Sequence, residues 1–133
     1  MDDSERRRLL DRLRGGSTVG FRMPDRIEVD GTTIELKRLV FESERLDAVT
    51  EAERERVDEA LGLLRRERTR RRRRIAEGDI SVAEGDALAD EVIGIDRAIN
   101  ALEGLDAPGF GEEARRSRIE GHKEWLGLVN QLR

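Results

Sequence analysis

Apolar positions along the chain fall into short clusters that change period from segment to segment. Leu9, Leu10 and Leu13 lie within a charged stretch that predicts a short helix over residues 4–14, with Ser4 as N-cap and Gly15 as the stop. Between residues 26 and 36 the period drops to two. Ile27, Val29 and Ile34 flank Asp30-Gly31, a dipeptide that turns a β-hairpin. A two-residue turn there sets Val29 opposite Thr32 and Ile27 opposite Ile34 on one face. It sets Glu28 opposite Thr33 and Arg26 opposite Glu35 on the other. A lone hairpin is marginal in water, so its apolar face must rest on helices. Leu36, Leu39, Val40 and Leu46 suit a helix, while Ile34, Leu36 and Val40 also allow a prolonged strand; the helix is favoured.

Two capping boxes follow, Thr50-x-x-Glu53 and Ser81-x-x-Glu84. Each opens a long helix, at 51–77 and 82–104, and at 1.5 Å per residue these are roughly 40 Å and 35 Å long. Only Gly78-Asp79-Ile80 joins them, which forces an antiparallel pair. In the second long helix Leu88, Val92, Ile95, Ile99 and Leu102 form a bulky seam. Ala87, Gly94, Ala98 and Ala101 form a small-residue stripe beside it, so this helix is expected to pack on two neighbours. Val57, Leu61 and Leu64 supply the facing seam, and the same spacing continues through Arg68 and Arg71 to Ile75. Pairing about the short loop puts Val57 by Leu102, Leu64 by Ile95, Arg68 against Glu91 and Arg74 near Glu84. A last helix is predicted over 112–132, with Ile119, His122, Leu126 and Val129 on one stripe and Trp125 beside it. The fold class is therefore mainly α. The expected architecture is one domain over 1–133, a helical bundle on a long antiparallel hairpin with a small β-hairpin packed against it.

Composition sharpens this picture by exclusion. The 133 residues are 36% hydrophobic and 42% charged, with three Phe, one Trp and no Tyr, so the core must be aliphatic. The absence of Cys removes disulfides, thiolate metal sites and cysteine nucleophiles. His122 is the only histidine, which denies the chain an ordinary zinc site. Glu120 lies two residues before it, not the three that carboxylate-bridged bundles use. His122 is expected to be a hydrogen-bonded core residue. Gly15 to Gly20 has glycines but lacks the Lys and Ser/Thr of a phosphate loop and follows a helix rather than a strand. No acid, base and nucleophile converge, so the chain is expected to be non-enzymatic, with no cofactor, metal or small-molecule substrate. No window approaches the ~20 apolar residues of a membrane span, and residues 1–8 open no signal peptide, so a cytoplasmic location is expected.

The distribution of charge is less ordinary. Twenty-four of 26 basic residues are Arg, and the net charge is −4. Arg65 to Arg74 holds eight Arg and one Glu, a density that suggests nucleic acid. The stretch that faces it, from Glu77 to Glu91, carries Glu77, Asp79, Glu84, Asp86, Asp90 and Glu91 and no base, so the hairpin tip is nearly neutral. Internal neutralisation is the favoured reading, with ion pairs Arg68–Glu91 and Arg74–Glu84. Arg66, Arg70 and Arg73 fall on the outward face, where they could track a phosphate backbone. The Arg-rich, acidic composition also suits a salt-loving source. In about 1 M salt the Debye length shrinks to about 3 Å, and only close charge contacts persist.

The segments Leu64-Arg65-Arg66-Glu67-Arg68, Glu77-Gly78-Asp79-Ile80-Ser81 and Ile93 to Leu102, together with Thr18-Val19-Gly20 and the Asp30-Gly31 turn, resemble a family of small haloarchaeal proteins classed only as a domain of unknown function. The resemblance implies no activity. From the residues, the expected function is a non-enzymatic interaction or scaffold protein that uses helix faces, through a protein partner or self-association. Ile93 and the small-residue stripe are candidate contacts. The alternative is a nucleic-acid-associated regulator that uses Arg66, Arg70 and Arg73.

Overall fold

The computed structural model describes residues 1–15, 21–46, 49–105 and 124–132. Its elements are α1 (Asp3–Gly15), β1 (Ile27–Val29), β2 (Thr32–Ile34), α2 (Leu36–Glu44), α3 (Glu51–Glu77), α4 (Val82–Glu103) and α5 (124–130). The helical bundle with one small antiparallel sheet is the architecture expected from the periodicity. His122 and Ile119, with most of the helix expected over 112–132, lie outside the described residues.

The hairpin has the register that its turn dictates: Ile27 opposite Ile34, Glu28 opposite Thr33 and Val29 opposite Thr32. Asp30 and Gly31 both take positive φ, +49° and +82°, as a type I′ turn requires. Ile27, Val29 and Ile34 are buried, so the face that could not survive alone in water has found helices to cover it. The segment after it is helical, with Leu36, Leu39, Val40 and Ser43 turned inward.

Capping fixes where the long helices begin. At α3 the Thr50 side chain accepts from the Glu53 N–H at 3.3 Å, and the Glu53 carboxylate accepts from the Thr50 N–H at 2.7 Å. At α4 the Ser81 hydroxyl accepts from the Glu84 N–H at 3.1 Å. The start of α1 departs from expectation. Ser4 lies inside the helix, and Asp2 caps it: Asp2 Oδ1 accepts from the Glu5 N–H at 2.7 Å while Glu5 Oε1 accepts from the Asp2 N–H at 3.1 Å. Asp2-x-x-Glu5 is itself a box of the same form, and its carboxylate outcompetes the Ser4 hydroxyl because it faces the positive end of the helix.

α4 is the central helix. It packs on α3, α2 and α1. Val57, Ala60, Leu61 and Leu64 of α3 share one buried cluster with Ile95, Ala98, Ile99 and Leu102 of α4, the β-hairpin, the inner side of α2 and Trp125, Leu128 and Val129 of α5. The small-residue stripe explains how α2 approaches. A Cβ on Gly94 would lie 2.9 Å from Leu36 Cδ2 and 3.2 Å from Pro24 Cδ, so any side chain there would push both residues outward. Trp125 is fully buried and donates Nε1–H to Ser43 Oγ at 3.0 Å, which satisfies both polar groups inside the core. A second, smaller cluster lies at the hairpin tip, where Leu9 of α1 meets Ile75 and Ala89, edged by Leu10, Leu13 and Leu88.

Candidate interaction face

The arginine tract occupies the last half of α3, and the helix divides it between two faces. On the inner face the buried stripe of α3 runs Val57, Ala60, Leu61, Leu64, Glu67, Arg71, Ile75. Arg71 is 7% exposed and Glu67 is 4%, so a charge pair has replaced the apolar seam there. Arg71 donates to Glu67 Oε2 at 2.8 Å, to Glu91 Oε1 at 3.2 Å and to the Glu28 carbonyl at 3.1 Å. One guanidinium thus ties α3 to α4 and to β1. Its planar fork of donors suits three partners at once, which a lysine ammonium could not serve in the same geometry.

These contacts correct the expected pair Arg68–Glu91. The stripe steps three residues from Leu64 to Glu67, not four to Arg68, and so brings Arg71 onto the seam. Arg68 sits at its flank and donates to Asp96 Oδ1 at 2.8 Å, while Arg72 approaches the other oxygen of Asp96 at 3.6 Å. Arg74 stands 3.8 Å from Glu84, as the antiparallel register predicts. Arg65 reaches Glu103 at 3.7 Å, and Arg12 of α1 pairs with Asp90 at 2.7 Å. Much of the tract is therefore neutralised within the fold. The residue that sequence reasoning passed over is Glu67. The signal for it was its place as the sole acid inside the tract, four residues before Arg71 on one helical face.

The outer face is different. Among the described residues Arg66 and Arg73 have no acidic partner, and both are exposed. Arg70 touches Glu67 at 3.3 Å and Asp30 at 3.5 Å, yet its side chain remains 67% exposed. Arg65, Arg66, Thr69, Arg70 and Arg73 line an open cleft of about 410 Å³. A neighbouring cleft of about 480 Å³, between α1 and α3, shares Thr69 and Arg73 and adds Leu10, Leu13, Arg14 and Arg72. Of the contact residues expected on α4, Gly94 and Ala98 are covered in the core, Ile93 and Ala101 are half-buried and Ala87 is exposed. Exposed large apolar side chains among the described residues are Phe41, with Arg45 stacked over its ring at 5.4 Å, and Val82. The unsatisfied surface is thus charged, not apolar.

Comparison with known families gives residues 1–130 to one of them. The chain belongs to DUF5788, a family of unknown function. The DUF5788 match covers both faces of the arginine tract and every element described above. No match emerges among curated proteins or among solved structures. Among the described residues, no group of three or more His, Asp or Glu is placed to hold a metal ion, and no helix is long and apolar enough to cross a membrane.

Proposed function

We propose that this DUF5788 chain is a non-enzymatic interaction module that binds a protein partner through the outer face of α3. One observation supports the reading above others: Arg66 and Arg73 stand exposed without a carboxylate, in a tract whose other arginines are paired or shared. Within this tract the arginines that face a neighbouring element are neutralised by it, and among the described residues these two are the ones free for a partner outside the fold. The cysteine-free composition suits work in the cytoplasm, where disulfides do not persist. Affinity purification with the parent chain and with an Arg66→Glu/Arg73→Glu chain tests the reading. The reversed chain is expected to lose whatever the parent specifically retains, and identical recoveries contradict the assignment to this face.

A second reading has its own support. Arg66, Arg70 and Arg73, with the Thr69 hydroxyl between them, offer donors at helical spacing that suit successive phosphates of a nucleic acid. Labelled RNA or DNA titrated across a salt series distinguishes it. Phosphate-driven binding weakens linearly on a log–log plot as salt rises. Absence of binding at low salt rejects it.

A further inference from the structure

We infer that the partner of the α3 outer face is a second copy of this chain, with the two α3 helices laid antiparallel across a two-fold axis near Gly62. The inference deepens the protein-interaction reading above and rests on it. The exposed stripe of α3 is bipolar. Its first half presents Glu51, Glu55 and Asp58, all exposed and, among the described residues, without a basic partner. Its second half presents Arg66, Arg70 and Arg73. At 100° per residue Glu51, Glu55, Asp58, Arg66 and Arg73 fall within about 40° of Gly62, with Arg70 about 80° from it, so a single straight partner can meet the first five.

Laid antiparallel about Gly62, a second α3 sets Arg73 opposite Glu51, Arg66 opposite Asp58, and Gly62 opposite Gly62, while Arg70 falls at the margin, opposite Arg54 and one residue from Glu55. Each contact occurs twice, because a two-fold axis pairs residue i with j and j with i. Parallel pairing would set acid on acid and base on base. Within one chain the same arrangement is unfavourable: Glu51 and Glu55, and likewise Arg66 and Arg70, are like charges one turn apart, which repel across a helix surface. A second copy offsets those repulsions with attractions across the axis.

Gly62 adds an independent observation. Glycine inside a helix costs stability relative to alanine, and this one receives nothing from its own fold in return. A Cβ built there would meet only Arg66 Nη1, at 3.6 Å, an ordinary contact with a flexible side-chain tip. A residue without a side chain at the midpoint of the stripe lets two helix backbones approach where they cross. From Glu51 to Arg73 the face runs about 33 Å, and at about 10 Å across the area is small for an interface, which makes this a weak, exchanging dimer and not an obligate one.

The test is sedimentation of the full chain at tens to hundreds of micromolar, in low salt and in 1 M salt. The parent is expected to associate in low salt and to weaken at least tenfold in high salt. Arg66→Glu/Arg73→Glu alone and Glu51→Arg/Asp58→Arg alone are each expected to be monomeric, and their equimolar mixture to regain the dimer. The chain has no cysteine, so a Gly62→Cys variant supplies a second readout. It should oxidise to a covalent dimer faster than an Ala83→Cys control on the exposed start of α4. A parent that stays monomeric at every concentration in low salt overturns the inference, and so does a dimer that both reversed chains retain. If the monomeric parent still holds a different protein through Arg66 and Arg73, self-pairing falls and the interaction reading stands. If nucleic acid binds that face instead, both fall.

Discussion

Arg71 and Arg73 are two residues apart on one helix, yet the fold uses them in opposite ways. Arg71 points inward, where burial makes an isolated charge expensive, and it survives there because Glu67, Glu91 and a backbone carbonyl surround it. Arg73 points outward, where water carries the cost, and it meets no carboxylate among the described residues. A run of identical residues therefore holds two populations, separated by the 3.6-residue period and by nothing in their chemistry. An arginine tract in a helix should be assigned face by face, since its total charge says little about what any one guanidinium does.

The sharpest way to break the comparison is to remove the inner arginine. Arg71→Ala removes the cation that Glu67 and Glu91 share. Arg70 remains 3.3 Å from Glu67 and water reaches Glu91, so urea unfolding should show a loss of about 2–3 kcal/mol, below the full cost of stranding a buried charge. At the flank the effect should shrink. Arg68 and Asp96 are about a third exposed (28% and 32%), and Arg72 remains near Asp96, so Arg68→Ala should cost about 0.5–1 kcal/mol in the same assay. An Arg68 loss as large as that of Arg71 would mean that burial does not sort the tract.

The smallest effect concerns a charge that serves only its own helix. The hydrogen bond from the Glu5 N–H holds the Asp2 carboxyl below its ordinary pKa of 3.8, and slight desolvation opposes it. A depressed folded pKa contributes stability that is present above the unfolded value and lost as pH falls through the folded one. The start of α1 should therefore loosen only below about pH 4. The Glu5 amide resonance should report this in an acid titration. Asp2→Asn should abolish the inflection without moving signals from α3.

Much of the fold was legible because local chemistry decided it. Asp30-Gly31 fixes turn type, and turn type fixes register. Thr50 and Ser81 each sit three residues before a glutamate and mark the long helices to within a residue. The aliphatic seam was legible for the same reason, since Leu and Ile tolerate a single environment. The ionic half was harder to read. Arginine reaches across a full turn, so a spacing of three or four from Leu64 was equally plausible until Glu67 proved to be the buried residue. The same ambiguity hid the Asp2 cap, one box displaced from Ser4. Bipolarity of the outer face was written plainly in the chain, yet it emerges only when burial has removed Glu53, Glu67 and Arg71 from the count of exposed charges.

The most direct measurement is made on Arg73→Glu, followed by sedimentation in low salt with its urea midpoint as the control. An outer arginine that serves a partner and not the fold predicts a midpoint within about 0.5 kcal/mol of the parent, as for surface sites in general, together with lost association. A variant that unfolds early while the chains still associate would contradict the division of the tract into inner and outer roles.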